Sequence, residues 1–401
     1  MSRPRALYIS GSIGLGHVSK DLAIARELRR ARPDIEILWL AGHPASEVLR
    51  YAGENVVPES ERWVGASEIA ERCIRNGQLN LVRYVYRSLP SWVLNARLFS
   101  GVVQSYNVDI AIGNESYEVD IPLVLRILHM HVPFVMIFDF VGSDATTLNP
   151  LDHLGAYILN AMWALDGRVY NGNPHSAIFI GEPDDIPNRP LGWALPNRRE
   201  HAQKHYDIVG HVINFRPDEY TDHVARRRQL GYGYEPLIVC SVGGTSIGRE
   251  LLELCGQAFL SLRQNIPDLH MTLVCGPRLP VESVRVPSGV EVRGYVPRLY
   301  EMYACCDVAV VQCGASSTTE LSALRKPFLY FPIVGHFEQE AVASRLARYG
   351  AGRRMSLKGT TPVSLAEAIG QEFGRTVTYA PMPADGAVKA AEHILRALGG
   401  L

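Results

Sequence analysis

The segment from Asp307 to Leu321 indicates the fold of this chain best, and it reads DVAVVQCGASSTTEL. The apolar run at its start has the composition of a strand that is covered on both faces. Small residues then form a turn, and a helix begins whose amides and dipole favour a diphosphate group. Glu320, one turn inside that helix, is placed to accept hydrogen bonds from two hydroxyl groups, as in a ribose. A helix capped by Ser316 or Ser317 would give the same pattern, and the two interpretations are compatible.

The order of strand, turn of small residues and helix recurs along the chain. Apolar runs predict strands at 6–10, 35–41, 109–113, 133–138, 237–241, 271–275, 290–292, 308–312 and 329–332. Apolar residues at helical spacing predict helices at 19–30, 249–264 and 386–398. Strands that alternate with helices in this way form a parallel sheet with helices on both faces, so the predicted fold class is α/β.

The length of 401 residues favours two domains over one. The pattern is weakest over residues 181–236, which are rich in proline, glycine and charge and therefore mark the boundary region. We predict a first domain over residues 1–210, a second over 211–385, and a C-terminal helix over 386–401 that packs back on the first domain. Aromatic residues and arginines over 61–104 favour helices on the edge of the sheet rather than the wall of an apolar acceptor pocket.

The composition argues against several classes of protein. The 40 basic residues balance 41 acidic residues, so a dedicated nucleic-acid binder is disfavoured. The seven cysteines include no C-x-x-C pair, and we expect reduced thiols in a cytoplasmic protein. No apolar run approaches the roughly 18 residues of a membrane span. Arg83, Arg87 and Arg97 leave open a peripheral contact with a bilayer, although a solvated helical face is favoured.

A second motif, GSIGLGHV at Gly11–Val18, follows the first predicted strand. Its glycines let the backbone turn tightly and open a helix toward an anion. A nicotinamide cofactor is disfavoured, because the glycine spacing differs from G-x-G-x-x-G and Ala41-Gly42-His43 replaces the acid expected after the second strand. His17 lies where doubly wound sheets bind ligands, and it can serve there as a general base. A histidine that only satisfies its loop is the alternative.

Two further segments offer groups to a ligand. Gly243-Gly244-Thr245 follows a predicted strand, and backbone amides together with a hydroxyl can hold a phosphate. The segment PIVGHFEQE at 332–340 places the carboxylate of Glu338 beside the amide of Gln339, a pair that suits sugar hydroxyls. Each signal is weak alone, because glycines close many tight turns and polar residues begin many helices.

Together these motifs resemble the nucleotide-sugar glycosyltransferases of the GT-B fold, most of all the UDP-glycosyltransferase families 1 and 28. Those families include natural-product glycosyltransferases and the N-acetylglucosaminyltransferase of peptidoglycan synthesis. The likeness is strong over residues 236–352, moderate over residues 1–45 and thin between them. It implies two Rossmann-like, doubly wound domains that face each other across a cleft, with the acceptor on the first domain and the donor on the second.

The resemblance also implies roles for individual residues. His17 matches the family's Gly-His motif, whose histidine deprotonates the acceptor hydroxyl. Val296 lies in the stretch Gly294–Pro297, where the backbone of the family meets the uracil, and Glu320 lies where the family binds the ribose. The implied donor-binding residues are Gly16, Gly243, Gly244, Thr245, Val296, Gln312, Gly314, Ala315, Ser316, Ser317, Glu320, Glu338 and Gln339.

Three departures from the pattern of the family occur. Val342 stands near the place of an asparagine that often follows the acidic-Gln pair. Gln312 stands where the signature commonly has histidine, and a glutamine can donate to a phosphate without a positive charge. Asn114 and Glu115 stand where an aspartate often orients the catalytic histidine, and an asparagine cannot stabilise an imidazolium as a carboxylate does. Glu115 is therefore the predicted catalytic partner of His17, with Asp139 behind it.

The resemblance implies an inverting transfer of a hexose from a UDP- or dTDP-sugar to a hydroxyl group of a small-molecule or lipid acceptor. No cofactor is implied beyond the nucleotide sugar as co-substrate, and no D-x-D motif occurs among the candidate donor residues, which is consistent with catalysis without a metal. Two alternatives stay open: a sugar-nucleotide epimerase or hydrolase of the same fold, and a non-catalytic homologue. The intact His17 and Glu320 argue against the non-catalytic homologue.

Overall fold

The structure is a computed structural model that describes residues 3–11, 16–65, 74–75, 78–79, 81–145, 148–171, 174–243, 248–333 and 337–399. The chain forms two compact units. Unit 1 comprises Met1–Asn214 and Pro383–Leu401, and unit 2 comprises Phe215–Met382. The chain therefore passes between the units twice, once inside the weakly patterned region and once shortly before the C-terminal helix.

Unit 1 is built on a parallel sheet in the order β3-β2-β1-β6-β7-β8-β9. The strands of unit 1 are β1 (Arg5–Ile9), β2 (Glu36–Leu40), β3 (Asn55–Val56), β4 (Ile74–Arg75), β5 (Gln78–Leu79), β6 (Ile110–Asn114), β7 (Phe134–Phe138), β8 (Ser176–Ile180) and β9 (Tyr206–Gly210). Its first six helices are α1 (Gly16–Ala31), α2 (Ala45–Tyr51), α3 (Leu81–Ser105), α4 (Tyr117–Val124), α5 (Pro150–Asp166) and α6 (Arg198–His205). The strands β4 and β5 pair with each other in an antiparallel ribbon.

Alternate residues of the central strands fill the two faces of this sheet. Ala6 and Tyr8 of β1 lie in the apolar cluster that contains residues of α1, whereas Leu7 and Ile9 lie in the cluster on the opposite face. Each central strand is therefore apolar along its length, as expected for a sheet covered on both faces. All four strands predicted in this unit are present. The strands β8 and β9 were not predicted, and in β9 the polar Asp207 interrupts the apolar run.

The segment 61–104 lies mainly in α3, which packs on the sheet as the sequence favours. Phe99 and Val102 of α3 join the core, whereas Tyr86, Arg87 and Arg97 are exposed. The side chain of Arg83 lies outside the described residues. No described helix is both long enough and apolar enough to cross a membrane.

The C-terminal helix, α13 (Gly386–Ala397), belongs to unit 1. Its residues Ala390 and Ile394 are fully buried in the same cluster as Leu28 of α1. His393 adds a polar attachment, because its ring lies 2.5 Å from the carboxylate of Asp207 on β9. The helix thus completes one face of the unit 1 sheet.

Unit 2 is built on a parallel sheet in the order β12-β11-β10-β13-β14-β15. Its strands are β10 (Leu237–Ser241), β11 (His270–Val274), β12 (Glu291–Arg293), β13 (Val308–Gln312), β14 (Phe328–Phe331) and β15 (Arg353–Arg354). Its helices are α7 (His223–Gln229), α8 (Arg249–Asn265), α9 (Leu299–Cys305), α10 (Ala315–Ala323), α11 (Phe337–Tyr349) and α12 (Pro362–Glu372). The five strands predicted in this part of the chain are all present.

Each sheet has one point at which the chain reverses its direction of progress across the strands. In unit 1 this switch point lies between the neighbours β1 and β6, and in unit 2 it lies between β10 and β13. Open parallel sheets bind their ligands at the carboxyl ends of the strands, at such a switch point. The motifs found in the sequence follow these four strands, so the two switch points are the candidate sites.

Candidate functional site

The switch point of unit 1 brings the turn after β1 close to the end of β6. A Cβ atom placed on Gly11 would lie 2.9 Å from the carbonyl oxygen of Asn114 and 3.4 Å from Cγ of His17. Any larger residue at position 11 would therefore push these two segments apart. The glycine at the start of the motif is explained by this close approach.

His17 lies in the first turn of α1, among polar groups supplied by three different elements. Its Nδ1 atom is 3.2 Å from Oδ1 of Asn114 at the end of β6 and 3.2 Å from Oδ2 of Asp139 directly after β7. The side chains of His17 and Asp139 are only 15% and 13% exposed. Two acceptors on Nδ1 place the ring proton there, which leaves Nε2 as the basic atom.

Asp139, rather than Glu115, is the carboxylate that lies against His17. Glu115 stands behind it: one of its carboxylate oxygens accepts the backbone amide of Asp139 at 2.7 Å, and the other accepts the hydroxyl of Tyr117. Glu115 also has a positive φ of 50°, in a turn that starts directly after β6. The order of the two acids is thus the reverse of the predicted one, because this turn directs the Glu115 side chain to the loop after β7.

Two residues of α1 that the sequence analysis did not single out complete this cluster. Lys20 donates to Oδ2 of Asp139 at 2.6 Å, and the fully buried Asp21 accepts from the side-chain amide of Asn114 at 2.6 Å. They follow His17 by three and four positions, so all three side chains share one face of the helix. That spacing of charged residues on the buried face of α1 was the available signal.

The switch point of unit 2 joins the loop after β10 to the end of β13. The amide of Gly243 donates to Oε1 of Gln312 at 3.3 Å. Gly248, at the start of α8, has a φ of 135°, and a Cβ atom there would lie 2.6 Å from Val242 and 2.9 Å from Nε2 of Gln312. Gln312 therefore holds the start of this loop by a hydrogen bond and lies close to its end. Gly244 and Thr245, which belong to the same predicted phosphate-binding loop, lie outside the described residues.

The helix that opens at this switch point is α10, and Gly314 is its N-cap. Ser316 and Ser317 lie inside its first turn, so neither is the cap that the sequence analysis considered. Gly314 has the ordinary extended angles φ −77° and ψ 139°, and a Cβ atom there would meet no described atom within 4 Å. Neither conformation nor packing in the described structure requires glycine at this position. The first amides of α10, including those of Ala315 and Ser316, have no acceptor within the helix.

Glu320 lies one turn further along α10 and is 9% exposed. No described residue donates a hydrogen bond to its carboxyl group, and burial alone raises the pKa of that group to about 8. The nearby Tyr303, whose hydroxyl bonds that of Ser241 at 2.6 Å, has its own pKa raised by burial and by the charge of Glu320. A buried carboxyl group of this kind gains stability from any ligand that brings it hydroxyl donors.

Gly16, another predicted donor residue, is the first residue of α1 and so lies in unit 1. The remaining predicted donor residues follow strands of the unit 2 sheet. Gln339 lies in the first turn of α11. Its side-chain Oε1 atom accepts the backbone amide of Ile333 at 2.8 Å, and its backbone carbonyl oxygen accepts the thiol of Cys313 at 3.4 Å. The half-buried Glu338 precedes it in α11. Val296 lies in the loop that follows β12 and precedes α9. The structure thus links Gly243, Gln312 and Gln339 through neighbouring loops.

Comparison with known proteins assigns the chain to a family. Residues 238–396 match the model of the glycosyltransferase family 28 C-terminal domain. Over 388 residues the chain is 35% identical to the UDP-N-acetylglucosamine--N-acetylmuramyl-(pentapeptide) pyrophosphoryl-undecaprenol N-acetylglucosamine transferase of Bifidobacterium longum, with 90% of this chain and 88% of that protein covered. The chain belongs to glycosyltransferase family 28.

Two other proteins are also similar to this glycosyltransferase. It is 28% identical over 193 residues to the uncharacterized glycosyltransferase MK0977 of Methanopyrus kandleri, covering 48% of this chain and 53% of that protein, about half its length. A crystal structure of the glycosyltransferase of kitacinnamycin superposes with a TM-score of 0.60 at 18% identity, covering 99% of this chain and 96% of that chain. At that identity the similarity shows the fold, and the predicted GT-B fold is confirmed.

One cluster in the described part of this glycosyltransferase has the composition of a cation site, and it lies at neither switch point. Donor atoms of Glu182, Asp185 and His211 lie within 4.8 Å of one another, after β8 and β9. Asp185 already accepts the backbone amide of Glu182 at 2.8 Å in the capping box of a short helical turn. This bond gives the cluster a structural role in the loop after β8.

Proposed function

We propose that this protein is an inverting glycosyltransferase that moves a hexose from a UDP- or dTDP-sugar to a hydroxyl group of an acceptor. The observation that carries the proposal is the buried carboxyl group of Glu320, which lacks a described hydrogen-bond donor and lies one turn inside the helix that opens at Gly314. A nucleoside diphosphate supplies what both features need: ribose hydroxyls for the carboxyl group and an anion for the helix terminus.

The donor side of the reaction is assigned to unit 2. The diphosphate would bind the amides from Gly314 to Ser317 and occupy the open space beside Gly314. These amides would also stabilise the charge that develops on the leaving diphosphate, so no metal is required for that task. The amide of Gly243 already donates to Gln312 at the same switch point. Gln339 has an amide nitrogen for the sugar, because its oxygen already accepts from Ile333.

The acceptor side is assigned to unit 1, with His17 as the general base. Nε2 of His17 takes the proton of the acceptor hydroxyl, whose oxygen attacks the anomeric carbon from the face opposite the diphosphate. The bond between that carbon and the phosphate oxygen breaks, and the configuration at the anomeric carbon inverts. Asp139 stabilises the imidazolium that forms, since its carboxylate lies 3.2 Å from Nδ1.

We also propose an acceptor that has an apolar part. Phe140 follows Asp139 directly, and its ring lies 5.9 Å from that of Trp163 and 6.4 Å from that of Tyr117. Aromatic rings beside a few polar groups are typical of pockets for organic ligands. A uridine nucleotide is the preferred donor, because the relative from Bifidobacterium longum is named for a UDP-sugar.

A calorimetric and thermal-shift screen against UDP, dTDP, GDP, CDP and several UDP-sugars tests the proposal. A ligand at about one hundred times its dissociation constant stabilises the folded state by about 2.7 kcal/mol. We expect UDP or dTDP to stabilise the wild-type protein and the His17→Ala variant alike, and to lose most of this effect in Glu320→Ala.

Two outcomes would contradict the proposal. If none of the nucleotides in the screen stabilises this protein, it is not a nucleotide-sugar enzyme. A protein that binds UDP-sugar and releases free sugar, or converts the sugar to an epimer, without transfer to any acceptor hydroxyl, is a hydrolase or an epimerase.

A further inference from the structure

We infer that Asp21 is a positioning residue for the base: acting through the side-chain amide of Asn114, it keeps the proton of the His17 ring on Nδ1. The inference deepens the proposed function and rests on it for the identity of the base. No part of it requires Asp21 to touch a substrate.

Asp21 is the acceptor at the centre of a buried hydrogen-bond network. Its carboxylate accepts from the hydroxyl of Tyr8 at 3.0 Å, from the hydroxyl of Ser10 at 2.6 Å and from Nδ2 of Asn114 at 2.6 Å. Asp21 and Asn114 are both fully buried. Burial raises the pKa of Asp21 to about 7, while these three donors lower it. The network joins β1, α1 and β6 at the switch point.

The direction of these bonds fixes the orientation of the Asn114 amide. Above about pH 7 the carboxylate of Asp21 is ionised and can only accept hydrogen bonds, so the nitrogen of the amide faces Asp21. The amide oxygen then faces His17, and it lies 3.2 Å from Nδ1. Because an amide oxygen also only accepts, Nδ1 carries the proton and Nε2 keeps the lone pair that a base needs.

Asp139 alone would fix the Nδ1-protonated tautomer of His17 less firmly than Asp139 and Asn114 do together. Its Oδ2 atom lies 2.6 Å from Nζ of Lys20 and 3.2 Å from Nδ1 of His17, so the shorter contact belongs to the lysine. The Asn114 oxygen therefore supplies a second acceptor for Nδ1. Without a carboxylate at position 21, the amide could turn over and present its nitrogen to His17, which would favour the unproductive tautomer.

The test compares the Asp21→Asn variant with a double variant that again pairs one carboxylate with one amide at positions 21 and 114. Asparagine at position 21 can present either an oxygen or a nitrogen to Asn114, so we expect kcat to fall about 10-fold while the KM for the donor sugar changes less than about twofold. In the double variant Asp21→Asn/Asn114→Asp, the carboxylate introduced at position 114 accepts from His17 and from the amide introduced at position 21. We expect this double variant to recover most of the lost kcat.

A matched control separates positioning from simple support of the fold. Tyr170→Phe removes a buried hydrogen bond of unit 1 outside this network, the one that Asp120 accepts, so it should lower the melting temperature and leave kcat unchanged. Asp21→Asn with wild-type kcat, or a folded double variant that recovers nothing, would overturn the inference.

A spectroscopic measurement tests the inference without using transferase activity. Nitrogen NMR of protein labelled with ¹⁵N-histidine reports which ring nitrogen of His17 carries the proton, in the absence of any substrate. We expect the Nδ1-protonated tautomer in the wild type and a mixture in Asp21→Asn. An unchanged tautomer in the variant overturns the role of Asp21, whereas an inactive wild type with the expected tautomers overturns only the proposed function.

Discussion

The two switch points share one topology and differ in how their charged groups are partnered. In unit 1, Lys20 and His17 contact Asp139, and Asp21 accepts three hydrogen bonds. In unit 2, the buried carboxyl group of Glu320 has no described donor. A paired cluster keeps its geometry without a ligand, whereas an unpaired carboxyl group is satisfied only when a ligand arrives. We infer that unit 1 is organised for proton transfer and unit 2 for binding.

Replacement of the base should have the largest effect on turnover. We expect His17→Ala to lower kcat by about 10² to 10⁴, the usual contribution of a positioned general base. The dissociation constant of UDP, measured by calorimetry, should stay within about twofold, because the proposed nucleotide site lies in unit 2. A loss of UDP affinity as large as the loss of kcat would show that proton transfer and nucleotide binding are not separated between the two switch points.

Removal of the charge at Glu320 should have the largest effect on nucleotide affinity. A hydrogen bond to a charged group contributes about 1.5–3 kcal/mol, so Glu320→Gln should weaken UDP binding by about 10- to 100-fold, as measured by calorimetry at pH 9. Glu372→Gln is the matched control, because Glu372 is also buried in unit 2 but is paired with Arg375 at 3.0 Å. Equal losses in both variants would indicate general destabilisation instead of a ribose contact.

The two acids near His17 should differ in their effect on turnover. We expect Asp139→Asn to lower kcat by about 10²-fold, because the imidazolium loses its carboxylate. Glu115→Gln should change kcat little, since glutamine keeps an oxygen for the Asp139 amide. Steady-state kinetics of the two variants decide between the structural and the sequence-based assignment.

We also expect Asp139→Asn to lower the stability of the folded protein. Lys20 loses its partner in Asp139→Asn, and an unpaired buried charge costs several kcal/mol. The double variant Asp139→Asn/Lys20→Met should regain thermal stability and keep the low kcat. Recovery of kcat as well would indicate that Lys20 alone disturbed the site.

These assignments show what sequence pattern can and cannot resolve in this chain. The positions of His17, Gln312 and Glu320 beside turns that close a strand could be predicted, because such turns are local features of the sequence. The pairing of Asp139 with His17 depends on the neighbour relation of β1, β6 and β7, and on the positive φ of Glu115. Lys20 and Asp21 could be found from helical spacing, but Asp139 and Asn114, which join them to His17, lie about one hundred residues away.

The stability of the ligand-free protein should depend on pH through Glu320. Its pKa in the folded state is about 8 against an ordinary value of 4.5, so the ionised form opposes folding. The penalty is absent below about pH 4.5 and grows until pH exceeds about 8. Glu320→Gln should therefore melt several degrees above the wild type at pH 9 and at nearly the same temperature at pH 5. A variant that melts below the wild type at pH 9 would show that the carboxylate is partnered in solution.

The smallest effect is expected at Gln312, which stands where the family commonly has histidine. Its Oε1 atom accepts from the amide of Gly243 at 3.3 Å, a long neutral hydrogen bond worth about 0.5–1.5 kcal/mol. Gln312→Ala should therefore weaken UDP binding by about two- to tenfold, because the loop after β10 loses one attachment. Gln312→Glu keeps an oxygen for Gly243 but adds a negative charge beside the proposed diphosphate, and it should weaken binding further. If the glutamate variant binds UDP as well as the wild type does, the diphosphate does not lie at this switch point, and the contrast between the two units rests on Glu320 alone.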